Sequence, residues 1–195
     1  MAAGKRQLMD AALRLLAHQQ DVDTLSLREL AREAGLNHNT FYRHFRDLQD
    51  LQTALMHDFT QRLREGTRQA RANVGSHPSV THRVVGWLFD FALQHPAHFK
   101  AAQMTRQGPP GAARDLLESH LDEVRRDMQT QLMQKGMLPS LSAADLETAL
   151  AIIIEHTFTL CIRCIEAPLQ REALLVRAEQ GFTWVLSGAA LTAGN

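Results

Sequence analysis

Apolar residues recur three and four positions apart along most of the chain, and no stretch alternates apolar and polar residues as a half-buried strand would. Proline occurs only at the joints between these periodic segments. The pattern predicts an all-α protein of about nine helices. A first helix over residues 5–19 sets Leu8, Ala12, Leu15 and Leu16 on one face, and Asp21, Val22 and Asp23 end it. Ser26 caps a short second helix, with Glu29 three residues on completing a capping box, and Leu27, Leu30, Ala31 and Ala34 face inward. Gly35 supplies the turn, Leu36 plugs the core and Asn37 caps a third short helix. Phe41 and Phe45, four residues apart, form that helix's buried side. This spacing is that of a helix-turn-helix.

Longer segments follow. Asp47 and Asp50 open a fourth helix that runs to about residue 73, where Gly75, Ser76, His77 and Pro78 break it. Its length suits a link between two domains. A fifth helix starts at Pro78 and carries Val84, Val85, Trp87, Leu88 and Phe91, and a sixth starts at Pro96 and includes Phe99 and Met104. The loop 107–111 precedes a seventh helix ending near Gly136. Ser142 and Asp145 cap an eighth, apolar nearly all round over residues 146–165, and Pro168 begins the connection to the ninth.

Composition and charge narrow the function. A chain of 195 residues with 45% hydrophobic content can bury one sizeable core or two small ones. The run 149–154 is too short to span a bilayer and the first residues lead into no signal-peptide core, so a soluble cytoplasmic protein without a membrane partner is expected. The net charge of zero argues, on its face, against a polyanionic partner. Its distribution argues the other way. Residues 34–46 hold no acid but include His38, Arg43, His44 and Arg46. The outward side of the third helix offers His38, Asn39, Thr40, Tyr42, Arg43 and His44, groups that suit phosphates and base edges. Ser26, Arg28 and Arg46 join them as candidate DNA contacts. An ordinary solvated helix pair would also fit the periodicity, but its surface would carry a lysine–glutamate ladder rather than a tyrosine between Arg and His.

Enzyme signatures are missing: there is no GxSxG, GxxxxGK or GxGxxG, and Gly108-Pro109-Pro110-Gly111 lacks the free N–H groups of a phosphate loop. Cys161 and Cys164 form a CxxC without the second pair that zinc would want, and Ile162 and Ile165 beside them favour two buried thiols. No cofactor or metal is expected.

The residues Leu27-Arg28-Glu29-Leu30-Ala31-Arg32-Glu33-Ala34-Gly35-Leu36, followed by Thr40-Phe41-Tyr42-Arg43-His44-Phe45, resemble the signature of TetR-family regulators. The resemblance implies a homodimeric repressor whose two third helices enter successive major grooves of a palindromic double-stranded operator. It implies that Tyr42 and His44 sit on phosphates while His38, Asn39, Thr40 and Arg43 approach bases. Many members carry a phosphate-binding lysine at the first turn of the fourth helix; here Leu48 stands there, and Arg46 is the candidate replacement. The string Phe41-Tyr42-Arg43-His44-Phe45-Arg46-Asp47 with Leu51 is further similar to proteobacterial repressors of unsaturated fatty-acid synthesis. So are His95-Pro96-Ala97-His98-Phe99 and Met137-Leu138-Pro139, more loosely.

On that plan residues 1–47 form a DNA-binding domain and residues 48–195 a ligand-binding and dimerisation domain. The eighth helix is too apolar for one buried face, so Ile154, Phe158 and Ile162 are expected to meet a second subunit together with Ala178, Gly181, Phe182, Val185 and Gly188 of the ninth. Packing within one subunit is the competing reading. Trp87, Phe91, Phe99, Met104, Met128, Leu132 and Phe158 are the candidate lining of an apolar effector site, although such stripes also serve as ordinary core. The subgroup resemblance implies a long-chain acyl thioester as effector, with Arg106 or Arg163 near its head group. A drug or another small apolar molecule is the alternative.

Overall fold

Short polar side chains start the helices where backbone N–H groups would otherwise lack acceptors. Ser26 Oγ accepts from the Glu29 N–H at 3.1 Å, Asp47 Oδ1 from Asp50 at 2.8 Å, Ser79 Oγ from His82 at 3.0 Å and Ser142 Oγ from Asp145 at 3.1 Å. Each such cap is worth about 1 kcal/mol. The computed structural model describes residues 2–18, 26–72, 79–134 and 141–193. Among these the helices are α1 (Ala3–His18), α2 (Leu27–Glu33), α3 (His38–Phe41), α4 (Leu48–Ala72), α5 (Val80–Gln94), α6 (Pro96–Gln107), α7 (Ala112–Gln134), α8 (Ala143–Glu166) and α9 (Arg171–Ala193). A 3-10 turn, Pro168–Gln170, joins the last two, and no strand occurs among the described residues. The fold class is all-α, as the periodicity requires. The predicted helix end at Asp21, Val22 and Asp23, the break at Gly75 to Pro78, and the Met137-Leu138-Pro139 turn lie outside the described residues.

The chain packs as two compact units. The first comprises residues 1–65 and 95–118. Leu8, Ala12 and Leu16 of α1, Leu30 of α2, Phe41 and Phe45, and Leu51, Leu55 and Phe59 of α4 are buried in it. The sixth helix belongs here too. Phe99 meets Phe59 edge-on with centroids 5.1 Å apart, and Lys100 Nζ donates to the Ala17 carbonyl at the end of α1 at 2.7 Å. His98, stacked over Phe59 and largely buried, has its pKa lowered to about 4, chiefly by burial and then by His95 and Arg62. Its imidazole is therefore neutral near neutral pH and serves as core.

Residues 66–94 and 119–195 form the second unit. Leu146, Ala149, Leu150, Ile153, Leu160, Cys161 and Cys164 face inward along α8, and Leu174, Leu175 and Ala178 do so along α9. Arg171 ties α9 to α5 through Asp90 at 2.7 Å and the Gly86 carbonyl at 3.2 Å. Burial pushes both cysteine thiols up, which leaves them protonated and chemically quiet. By length and composition α8 as a whole is apolar enough to cross a membrane, which the short run 149–154 did not reveal. About a third of that window is buried within the chain.

Candidate nucleic-acid interface

The geometry of α2 and α3 follows from a few local interactions. At the end of α2, Gly35 adopts φ of 65°, a left-handed conformation that side chains resist, and the Leu36 N–H reaches back to the Ala31 carbonyl at 2.9 Å. Asn37 Oδ1 then accepts from the Asn39 N–H at 3.0 Å and starts α3. The third helix is a single turn, shorter than the span the Phe41/Phe45 spacing predicted. After Phe41 the chain continues as a turn in which the His44 and Phe45 N–H groups both donate to the Phe41 carbonyl at 2.9 Å. Phe41 and Phe45 are fully buried with ring centroids 5.7 Å apart. These two rings anchor the segment, and everything between and opposite them must face out.

That outward row is the one the sequence singled out. His38, Asn39, Tyr42 and Arg43 are exposed, and Thr40 and His44 are half-buried. Tyr42 is 55% exposed, and its ring stands edge-on to Phe41 and to His38, each at 5.5 Å and 88°. The phenol is thereby braced at its base with its hydroxyl end in solvent. Ser26 and Arg28 are exposed at the start of α2, although Ser26 Oγ is already occupied as the cap. Arg46 has an 87% exposed side chain, held loosely by Asp50 at 3.6 Å. That acid is the third residue of α4, and the i,i+4 spacing is the sequence signal for the pair. Leu48 is half-buried at the start of α4.

Two contacts behind this row were not legible in the sequence. Lys5 Nζ lies 5.1 Å from the Phe45 ring centroid, and the His44 imidazole rests against Gly4 at the start of α1.

The candidate effector-site residues fall into separate groups. Trp87 and Phe91 stack with centroids 5.0 Å apart and 13° between planes, and a Cβ on Gly66 of α4 would fall inside the Trp87 ring. Met128 and Leu132 pack against Leu146, Leu150 and Ile153 with Phe182, Val185 and Leu186. Phe99 and Met104 belong to the first unit, where Phe99 is core, and Phe158 is half-buried on α8. Arg106 is paired with Glu118 at 3.1 Å, while Arg163 is exposed.

For the predicted interface residues, Ile154, Phe158, Ile162, Gly181, Phe182 and Val185 are half-buried and Gly188 is exposed. Ala178 is fully buried within one chain, so its side chain cannot reach another subunit. Gly181 lies beside α8 of the same chain, since a Cβ there would stand 3.4 Å from the His156 ring. Large apolar side chains outside the predicted set also stand exposed on these helices. Ile152 is 51% exposed on α8, and Trp184 and Leu191 are 70% and 76% exposed on α9.

Residues 8–55 match the family described as bacterial regulatory proteins, tetR family. Over the whole chain the fold is similar to solved structures of low sequence identity. The fatty acid degradation regulator FadR from Bacillus halodurans is 14% identical with a TM-score of 0.76, over 96% of this chain and 97% of that one. A putative transcriptional regulator from Pseudomonas aeruginosa PAO1 is 18% identical with a TM-score of 0.77, over 96% and 92%. The transcriptional regulator FadR from Bacillus subtilis, solved in complex with stearoyl-CoA, is 17% identical with a TM-score of 0.69, over 94% and 98%. The chain therefore has the fold of TetR-like regulators, and its residues 8–55 match the tetR family of bacterial regulatory proteins.

Proposed function

We propose that the protein is a cytoplasmic transcriptional repressor that binds a palindromic operator as a homodimer and responds to a long-chain acyl thioester. The observation that carries the DNA-binding part is the row His38, Asn39, Tyr42 and Arg43, exposed on a turn whose opposite side is pinned by Phe41 and Phe45. Short, rigidly seated and acid-free, such a turn fits a major groove without rearranging. Residues 1–47 supply this reading head, and residues 48–195 supply effector binding and dimerisation. His38, Asn39, Thr40 and Arg43 approach bases, and Tyr42, His44 and Arg46 hold phosphates.

Dimerisation is supported by an apolar face that one chain leaves open. Trp184, Gly188 and Leu191 recur along one side of α9, and Ile152 lies one turn from His156, which meets Gly181. A second copy would cover this face, with Trp184 as its central anchor.

The acyl thioester rests on the oily character of Phe91, Met128, Leu132 and Phe158, and on the likeness to the Bacillus subtilis regulator solved with stearoyl-CoA. A planar drug-like effector is a second reading, favoured by the near-parallel Trp87–Phe91 stack, against which an aromatic ring could insert. One experiment separates them. Duplexes are selected from a random pool by the full-length protein, and acyl thioesters of graded chain length are titrated into the complex. A shift in duplex binding that grows with chain length supports the acyl reading. Response to aromatic drugs alone overturns it.

A further inference from the structure

We infer that Gly4, in the first turn of α1, is a positioning residue for DNA binding: the space left by its missing side chain seats the His44 imidazole at the edge of the reading head. The inference rests on the DNA-reading assignment of the α2–α3 segment. Gly4 lies inside the first hydrogen-bonded turn of α1, where the Arg6 N–H donates to the Ala2 carbonyl. Glycine in a helix interior is less stable than alanine by about 1 kcal/mol. The left-handed conformation of Gly35 is absent here, since Gly35 alone among the described glycines has a positive φ. Helix formation and backbone shape therefore give no reason for glycine at this position.

His44 does. A Cβ at position 4 would lie 2.7 Å from His44 Nε2, 3.4 Å from Cδ2 and 3.7 Å from Cε1. The first distance is shorter than real Cβ atoms tolerate, so any side chain there moves the ring. The backbone of His44 cannot follow. Its N–H and that of Phe45 are both bonded to the Phe41 carbonyl, and Phe45 is buried beneath the Lys5 ammonium. A push on the ring is absorbed by side-chain torsions alone, which swing the imidazole away from α1. While Tyr42, Arg43 and Arg46 stand out in solvent, His44 is half-buried, as expected of a ring held against the helix. Since a long side-chain end yields cheaply, a substitution at Gly4 separates DNA binding from stability.

The test compares Gly4→Ala, His44→Ala, the double variant and Tyr42→Ala in the full-length protein. Thermal unfolding is measured for each, with fluorescence anisotropy on a short mixed-sequence DNA duplex at low salt. Gly4→Ala is expected to unfold no earlier than the native protein yet bind the duplex about tenfold more weakly, the order of one lost hydrogen bond to a charged group. In the double variant the loss equals that of His44→Ala alone. Native-like binding by Gly4→Ala, multiplying losses in the double variant, or a lowered unfolding temperature that accounts for the weaker binding would overturn the inference. So would native-like binding by His44→Ala while Tyr42→Ala binds weakly. If Tyr42→Ala also binds like the native protein, the DNA-reading assignment itself fails. Gly4→Leu, which pushes the ring further, should deepen the loss without a second change in kind.

Discussion

Two surfaces of the chain leave bulky side chains in water, and they do so in opposite chemical styles. On α3 the exposed ring is Tyr42, set among His38, Asn39 and Arg43, with its apolar base braced by Phe41. On α8 and α9 the exposed side chains include Ile152, Trp184 and Leu191, with no charged residue between Trp184 and Leu191 along α9. A polar row tolerates solvent and gains from a polyanion. An apolar face of this size loses free energy in solvent, and only another apolar surface relieves it. The first can therefore act intermittently, as a reader that leaves and returns, while the second calls for a lasting partner.

The largest expected effect removes what lies under the polar row. Phe41→Ala should cost about 3–5 kcal/mol of stability, because a fully buried ring is lost from a helix packed on α1 and α2. Urea unfolding followed by circular dichroism checks it, and a loss below about 1 kcal/mol would mean that the turn does not depend on that anchor. Next comes the row itself. The double variant Tyr42→Ala, Arg43→Ala should unfold like the native protein yet bind the selected duplex about a hundredfold more weakly, with a flatter salt dependence, since each lost phosphate contact lowers the slope by about one. Trp184→Glu has the smallest expected effect and probes the other face. It should raise the dissociation constant of the dimer by about thirtyfold, in line with loss of one anchor side chain. Sedimentation at graded concentration reads this, and an unchanged assembly state would break the contrast drawn between the two surfaces.

The reading head was legible in the sequence because its determinants are local. Ser26 with Glu29, Gly35, Asn37 and the Phe41/Phe45 pair act over four residues or fewer, and each does what its position requires. Even there the chain kept something back, since periodicity marked Phe41 and Phe45 as inward but could not tell a long third helix from one turn and a bend. The C-terminal part was legible as helices and poorly legible as surfaces. An apolar helical stripe says that a side chain is covered without naming what covers it. Ala178 is read as an interface residue because it is small, whereas it is fully buried within one chain. Trp184 lies off the row Ala178, Gly181, Phe182, Val185 and Gly188 that the periodicity marks. Phe99 carries the same lesson: its ring meets Phe59, about forty residues earlier in the chain, and no pattern along the sequence encodes that meeting.

The seating of Trp87 has an optical consequence. The chain has two tryptophans, one stacked on Phe91 over the bare backbone of Gly66 and the other, Trp184, largely in water. Their indoles sit in environments of different polarity, so the native fluorescence of the protein is a sum of two emitters. Covering Trp184 shifts its emission to shorter wavelength, and anything that parts Trp87 from Phe91 alters the Trp87 contribution instead. Replacing either indole by Phe leaves a single, label-free reporter, one for assembly and one for events beside α4.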